Sequence, residues 1–177
     1  MKTTLPLLAI ALSTFIGTSA GSAEQLIQPT MLIADTSLSK SALESLTLAA
    51  RRYDTFWHTG DERLAKAALS PAFIDHTLPK GRKQGPDGPL MASKTFRSAV
   101  PDLTCEAEQM LVAGDRVTAF LHFRGHFTGT FAGRAGQGQT VDFIAVDIYR
   151  VQNGLIAEDW HLEDNLTLML QLGIVAS

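Results

Sequence analysis

Near the end of the chain an imidazole and three carboxyl groups recur at alternate positions, in Asp147-x-Tyr149 and in Asp159-x-His161-x-Glu163. Alternation is the period of a β-strand, which sends residues i, i+2 and i+4 to one face. A histidine titrates near neutral pH, and a carboxylate beside it fixes its tautomer and raises its basicity. An Asp147–His161 pair would suit general acid or base work on a carbon acid or a hydroxyl. A second carboxyl nearby, Asp159, would push one of the two toward its protonated form unless a cation lies between them. The same residue types also make buried polar networks that only satisfy themselves, so both a catalytic and a structural reading stand at this point.

These residues must be positioned by the stretch Thr140 to Asp164, which reads as a long strand, an Asn153-Gly154 turn and a return strand. A two-residue loop at Asn153-Gly154 would place Asp147 opposite Trp160 and mix polar with apolar groups on both faces. A three-residue loop, Gln152-Asn153-Gly154, with Gly154 as the left-handed residue of a bulge, separates the two sets. Ile144, Val146, Ile148, Ile156, Trp160 and Leu162 then share one face. Phe143, Ala145, Asp147, Tyr149, Ala157, Asp159, His161 and Glu163 share the other. Burial selects unmixed faces, so the second register is the expectation. It sets His161 opposite Ala145, with Asp147 on the diagonal, about 7 to 8 Å away along the backbone.

The rest of the chain supplies the support. At 177 residues and 45% hydrophobic composition it has the size of one domain with a real core. A net charge of −3 with scattered basic residues lacks the footprint of a nucleic-acid binder. Lys2, an apolar run from Leu5 to Ile16 and small residues ending at Gly21-Ser22-Ala23 read as a signal peptide over residues 1–23, too short to span a bilayer stably. Export to the periplasm or the medium follows, with no membrane attachment after cleavage. The lone Cys105 leaves an oxidising compartment permitted but unused. Residues 24–38 form a polar leader expected to stay mobile, and residues 39–177 form the domain.

Within the domain, Ser41-x-x-Glu44 resembles a capping box opening a helix whose apolar stripe is Leu43, Leu46, Ala50, Tyr53 and Trp57, ending at Thr59-Gly60. A second short helix ends before Pro71, and Phe73 to His76 is a short extended segment. The loop from Thr77 to Pro89 is long for a compact domain and reads as either a lid or a plain surface loop. A third helix covers Leu90 to Ala99. Strands over Leu103–Ala113 and Arg116–Thr128 flank a Gly114-Asp115 turn, with Val117, Ala119, Leu121, Phe123 and Phe127 on one face. Three helices followed by four long antiparallel strands make an α+β domain with a pocket between its layers. Tyr53 and Trp57 would line that pocket from the helix side, and Phe143 and Tyr149 from the sheet side.

Metal binding is not expected. His122 and His126 are four apart, but in a strand that is about 13 Å, whereas two ligands must each lie about 2.1 Å from one zinc. No cofactor fingerprint is present.

The runs Phe73-Ile74-Asp75-His76, Gly114-Asp115-Arg116-Val117, Gly125-His126-Phe127-Thr128-Gly129 and Asp147-Ile148-Tyr149-Arg150-Val151-x-Asn153-Gly154-x-Ile156-Ala157-Glu158-x-Trp160 resemble the SnoaL-like polyketide cyclases. That family lies within the nuclear-transport-factor-2-like superfamily, and the resemblance covers about Leu46 to Gly173. It implies a cone, a curved antiparallel sheet wrapped around N-terminal helices, and a small-molecule ligand. It also implies a place near the pocket mouth for His76. In the cyclases the residue after the last-strand tryptophan is an aspartate acting as general acid/base, and a histidine stands two positions before it. Here those positions hold His161 and Asp159, so the two residue types are exchanged. The expectation is a cofactor-independent acid/base enzyme of isomerase, lyase or cyclase type on a small apolar carbonyl compound or ester. A non-catalytic binding module with the same cavity is the alternative, because this fold hosts both. The apolar outer sheet face, with Ile144, Val146, Trp160 and Leu162, is expected to form a homodimer.

Overall fold

The computed structural model describes residues 24–176; the expected signal segment, residues 1–23, lies outside the described residues. The elements in order are β1 (Met31–Ala34), α1 (Lys40–Thr59), α2 (Glu62–Ala68), β2 (Leu69–Asp75), α3 (Asp87–Ala99), β3 (Thr104–Ala113), β4 (Arg116–Phe127), β5 (Thr130–Phe131), β6 (Arg134–Ala135), β7 (Gln139–Gln152), β8 (Leu155–Glu163) and α4 (Asn165–Gln171). One six-stranded sheet runs β1-β3-β4-β7-β8-β2, and β5 and β6 form a separate ribbon. β3, β4, β7 and β8 pair antiparallel in succession, as the sequence leads one to expect. The two edges are parallel additions, β1 on β3 and β2 on β8.

β1 corrects one expectation, because the segment read as a mobile leader pairs with the sheet. It is also tied to α1: the Ile27 amide donates to Thr55 Oγ1 at 3.0 Å, and Arg51 Nε donates to the Ile27 carbonyl at 2.9 Å. The strand itself is a four-residue apolar run, Met31-Leu32-Ile33-Ala34, too short to stand out against its polar flanks, and what holds it is backbone pairing with β3.

α1 starts two residues before the expected box. Ser39, not Ser41, is the N-cap, its hydroxyl accepting from the Ala42 amide at 3.2 Å. Gly60 closes the helix at φ 76°, a left-handed position suited to glycine, with its amide donating to Phe56 O at 2.7 Å. The helix presses Leu46, Ala50, Tyr53 and Phe56 into the concave side of the sheet, where they meet Leu121, Phe123, Phe143 and Tyr149 in one buried core.

The β7–β8 hairpin departs from the expected register in an instructive way. Asn153 and Gly154 both have positive φ, 54° and 75°, the arrangement whose twist matches that of the flanking strands. The loop is therefore the two-residue one, with Gln152 opposite Leu155 and Val151 opposite Ile156. The irregularity falls one step later, between Arg150 and Val151, where Ala157 is the extra residue. Beyond it the faces are those expected, while Ile156 turns inward and is fully buried. Asp147 now stands directly opposite His161 rather than diagonal to it.

On the outer face Ile144, Ile148 and Leu162 are exposed. Trp160 is already covered, by the His76 ring stacked at 4.2 Å and by the Arg116 guanidinium 4.6 Å from its centroid. His122 and His126 bind separate carboxyl partners, His122 with Glu108 and Asp142, His126 with Asp102. Among the described residues no helix is long and apolar enough to cross a membrane.

Candidate active site

Because Asp147 and His161 face each other across β7 and β8 and point to the concave side, their side chains meet. His161 Nδ1 lies 2.6 Å from Asp147 Oδ1, and its Nε2 lies 3.4 Å from Glu163 Oε2. Asp147 is buried, at 2% exposure. Burial alone would pull the imidazole down, but the charge of Asp147, its hydrogen bond and the neighbouring Glu163 outweigh it and hold His161 up at about 11. At neutral pH His161 is therefore held as the imidazolium. The backbone of His161 is also fixed, its amide donating to Thr77 Oγ1 at 2.9 Å, while Thr77 in turn leans on Asp75.

Behind Asp147 stands a chain of groups. The Tyr149 hydroxyl lies 3.1 Å from Asp147 Oδ2 and 2.8 Å from Asp54 Oδ1, on α1. A phenol has one proton to give, so it cannot donate to both. Asp54 is fully buried, and burial pushes its carboxyl well above the usual range, against the hydrogen bond that the Tyr149 hydroxyl donates to it; were Asp54 protonated on Oδ1, that bond would reverse. The Tyr149 proton would then be free for Asp147. The chain fixes the Asp147 carboxyl through Oδ2 and aims Oδ1 at His161.

Asp159 is a second buried carboxyl whose surroundings favour the acid form. Burial first, and the charge of Asp147 second, push its carboxyl well above the usual range. It is 4% exposed, and its Oδ1 has no hydrogen-bond partner among the described residues. A protonated carboxyl in a cavity wall is a hydrogen-bond donor awaiting an acceptor.

These groups open on a cavity of about 480 Å³ between the helices and the sheet, within the range of small-molecule sites. Of the residues singled out from sequence, Tyr53, Trp57, Phe143, Asp147, Asp159 and His161 line it. Tyr149 does not reach the cavity; it stands fully buried behind Asp147. His76 is a correction. It turns to the outer side, stacks on Trp160 and brings Nε2 within 2.8 Å of Glu158 Oε2. Strand alternation explains this: Phe73 and Asp75 of β2 face in, so Ile74 and His76 face out.

Sequence reasoning missed Asp54 and Asp75, and it named Glu163 only as a face-mate. Asp54 follows Leu46 and Ala50 at four-residue steps on the buried stripe of α1, a signal that was there to be used. Asp75 follows from Phe73 by the same alternation that removes His76. The aromatic walls were also only partly foreseen. Phe123 stacks on Phe143 at 5.1 Å, Trp57 meets Phe123 edge-on at 6.4 Å, and Phe96 of α3 meets Phe143 edge-on at 5.9 Å. The loop from Thr77 to Pro89 roofs the cavity with Pro79, Gly81, Arg82 and Lys83. It is pinned to the free edge of β2 by the Gln84 amide, which accepts from Asp75 N at 2.8 Å and donates to Asp75 O at 3.0 Å.

Comparison with known proteins agrees with this architecture. The family model described as SnoaL-like polyketide cyclase matches residues 47–172. A crystal structure from Bacillus cereus ATCC 10987, provisionally described as a polyketide cyclase, is 44% identical, covering 87% of this chain and 97% of its own with a TM-score of 0.79. TsrD from Streptomyces laurentii is 25% identical, covering 78% of this chain and 99% of its own with a TM-score of 0.67. IdmH from Streptomyces antibioticus, at 23% identity over 72% of this chain and 98% of its own with a TM-score of 0.65, shares the fold. No curated protein matches. The match over most of the domain, together with the cone and its cavity, places this chain in the SnoaL-like polyketide cyclase family.

Proposed function

We propose that this chain is an exported acid/base enzyme that works without a cofactor on a small, largely apolar carbonyl compound or ester, through enolate chemistry of isomerase, lyase or cyclase type. The observation that carries the reading is the His161–Asp147 pair, 2.6 Å apart and facing the cavity with the imidazole held up at about 11. That value narrows the role of His161. As a base it would be blocked at neutral pH, whereas as a fixed cation it can donate Nε2–H to a substrate oxygen. Asp159, as a neutral acid in the same wall, supplies a second donor to that oxygen.

The proton leaving the carbon next to the carbonyl passes to the Glu163 carboxylate, which lines the cavity beside His161. The electrons of the broken C–H bond move onto the carbonyl oxygen, where the two donors hold the charge. Return of the proton to a different atom completes an isomerisation, expulsion of a β-substituent completes an elimination, and attack of the enolate carbon on a second carbonyl closes a ring. His161 is open to the cavity, and that openness favours an enzyme over a carrier protein, whose ligand needs no charged donor against it.

The test is proton–deuterium exchange at the carbon between the two carbonyls of ethyl benzoylacetate in deuterated buffer, followed by NMR. The wild type should accelerate exchange, and His161→Ala should lower the acceleration by about 10² to 10⁴-fold while keeping the fold. If His161→Ala instead melts far below the wild type and its folded fraction exchanges protons as fast, the pair is structural and the catalytic reading fails.

A further inference from the structure

Resting on that reading of the cavity, we propose that the ligand carries an acidic group, a carboxylate or an acidic phenol on a flat apolar body, and that Arg82 and Lys83 of the roofing loop hold it. Both side chains line the cavity. Neither takes part in any ion pair among the described residues, although most of the other arginines there do. Arg82 is half-buried, and its stem packs over Gly88, where a Cβ would lie 3.5 Å from Arg82 Cγ and 2.4 Å from the Lys83 carbonyl. Glycine at the start of α3 thus lets the loop sit close to the helix with both cations at the rim. Half-buried Arg82 and exposed Lys83, adjacent on the rim and without an ion-pair partner among the described residues, repel each other, and a bound anion relieves that cost.

The remaining walls set which way the ligand lies. Asp75, Asp147 and Glu163 put carboxyl groups around His161, so an anion is disfavoured at that end. The aromatic rings of Trp57, Phe96, Phe123 and Phe143 form the apolar middle. An acidic group under the loop, a flat body against the rings and a carbonyl at His161 satisfies all three regions at once. The roofing loop, pinned by Gln84, then reads the substrate instead of only covering it.

The check uses tryptophan fluorescence. Trp57 lines the cavity and Trp160 lies on the outer face, so Trp160→Phe leaves Trp57 as the reporter. In that background, 2-naphthoate and its methyl ester are titrated at neutral pH and low salt. The acid should bind roughly tenfold tighter than the ester, as one charge-assisted contact allows. Arg82→Gln with Lys83→Gln should abolish the preference while leaving ester affinity within about twofold, since an uncharged ligand loses no charge-assisted bond. His161→Gln should keep it. A preference that survives the double variant and vanishes in His161→Gln would assign the anion to the imidazolium and overturn the proposal. So would an ester that binds as tightly as the acid, or an acid that gives no saturable quenching. Exchange activity that depends on His161 without any acid preference would remove this proposal alone. An acid preference without exchange would remove the enzyme reading and leave the ligand class standing.

Discussion

His161 holds its proton more tightly in the folded protein than its ordinary value near 6.5, so the sign of its effect on stability is determined. A group whose value rises on folding adds stability below the ordinary value and loses it as pH climbs through the folded one. The contribution of His161 is complete below about pH 6.5 and is gone above about pH 11. Asp54 and Asp159, also raised, act in the same direction from about pH 4 upward. Opposed to them are surface carboxyls held low by their partners, such as Asp142 by His122 and Glu158 by Arg150, which lose stability as pH falls. Melting temperature should therefore peak at mildly acid pH and decline between pH 6.5 and 9.5. Asp147→Asn removes the largest force raising His161, so its decline over that interval should be shallower, although the protein as a whole is less stable because a buried hydrogen-bonded carboxylate has lost its charge. A wild-type melting temperature that is flat or rises over this interval would contradict the assignment.

At the scale of elements, β7 and β8 show what was legible and what was not. Alternation gave the inner and outer faces of both strands from Arg150 and Glu158 outward, because burial of one face is written into apolar spacing. It could not give the pairing itself. The positive φ at Asn153 favours the tight turn, and the extra residue falls at Ala157, a choice made by twist rather than hydrophobicity. Moving that bulge turned a diagonal Asp147–His161 approach into a direct one. Asp54 was legible only in part: its four-residue step from Leu46 and Ala50 marks it as buried, but not what it meets there. Its partner, the Tyr149 hydroxyl, lies 95 positions away, beyond any local pattern. Edge strand β1 and the outward turn of His76 belong to the same class, since both depend on neighbours distant in sequence.

At the scale of the whole molecule, the described residues leave much of the outer sheet face bare. Ile144 is 38% exposed, Ile148 39% and Leu162 71%, and Met31, Ile33 and Leu111 extend the apolar area toward β1. We propose that a second copy covers this face, as the apolar content of the sheet led us to expect. The contact would be centred on Ile144, Ile148 and Leu162 and not on Trp160, which is already stacked within the chain. Export would deliver the protein without residues 1–23. Recovered from the periplasm or medium, it should carry an N-terminus near Glu24 and sediment as a dimer at micromolar concentration, with Leu162→Lys shifting it to monomer. A wild-type monomer, or a cytoplasmic protein still carrying Met1, would contradict the corresponding half of this proposal.

The chemistry turns on a cationic His161, and its protonation can be read directly. In uniformly ¹⁵N-labelled protein, with His161 assigned by the loss of its signals in His161→Gln, both ring nitrogens of His161 should be protonated at pH 7.5. They should also show no titration between pH 5.5 and 9. A ring with one protonated nitrogen at pH 7.5, titrating near its ordinary value, would show that Asp147 does not hold the cation in place and that His161 is not the acid of this site.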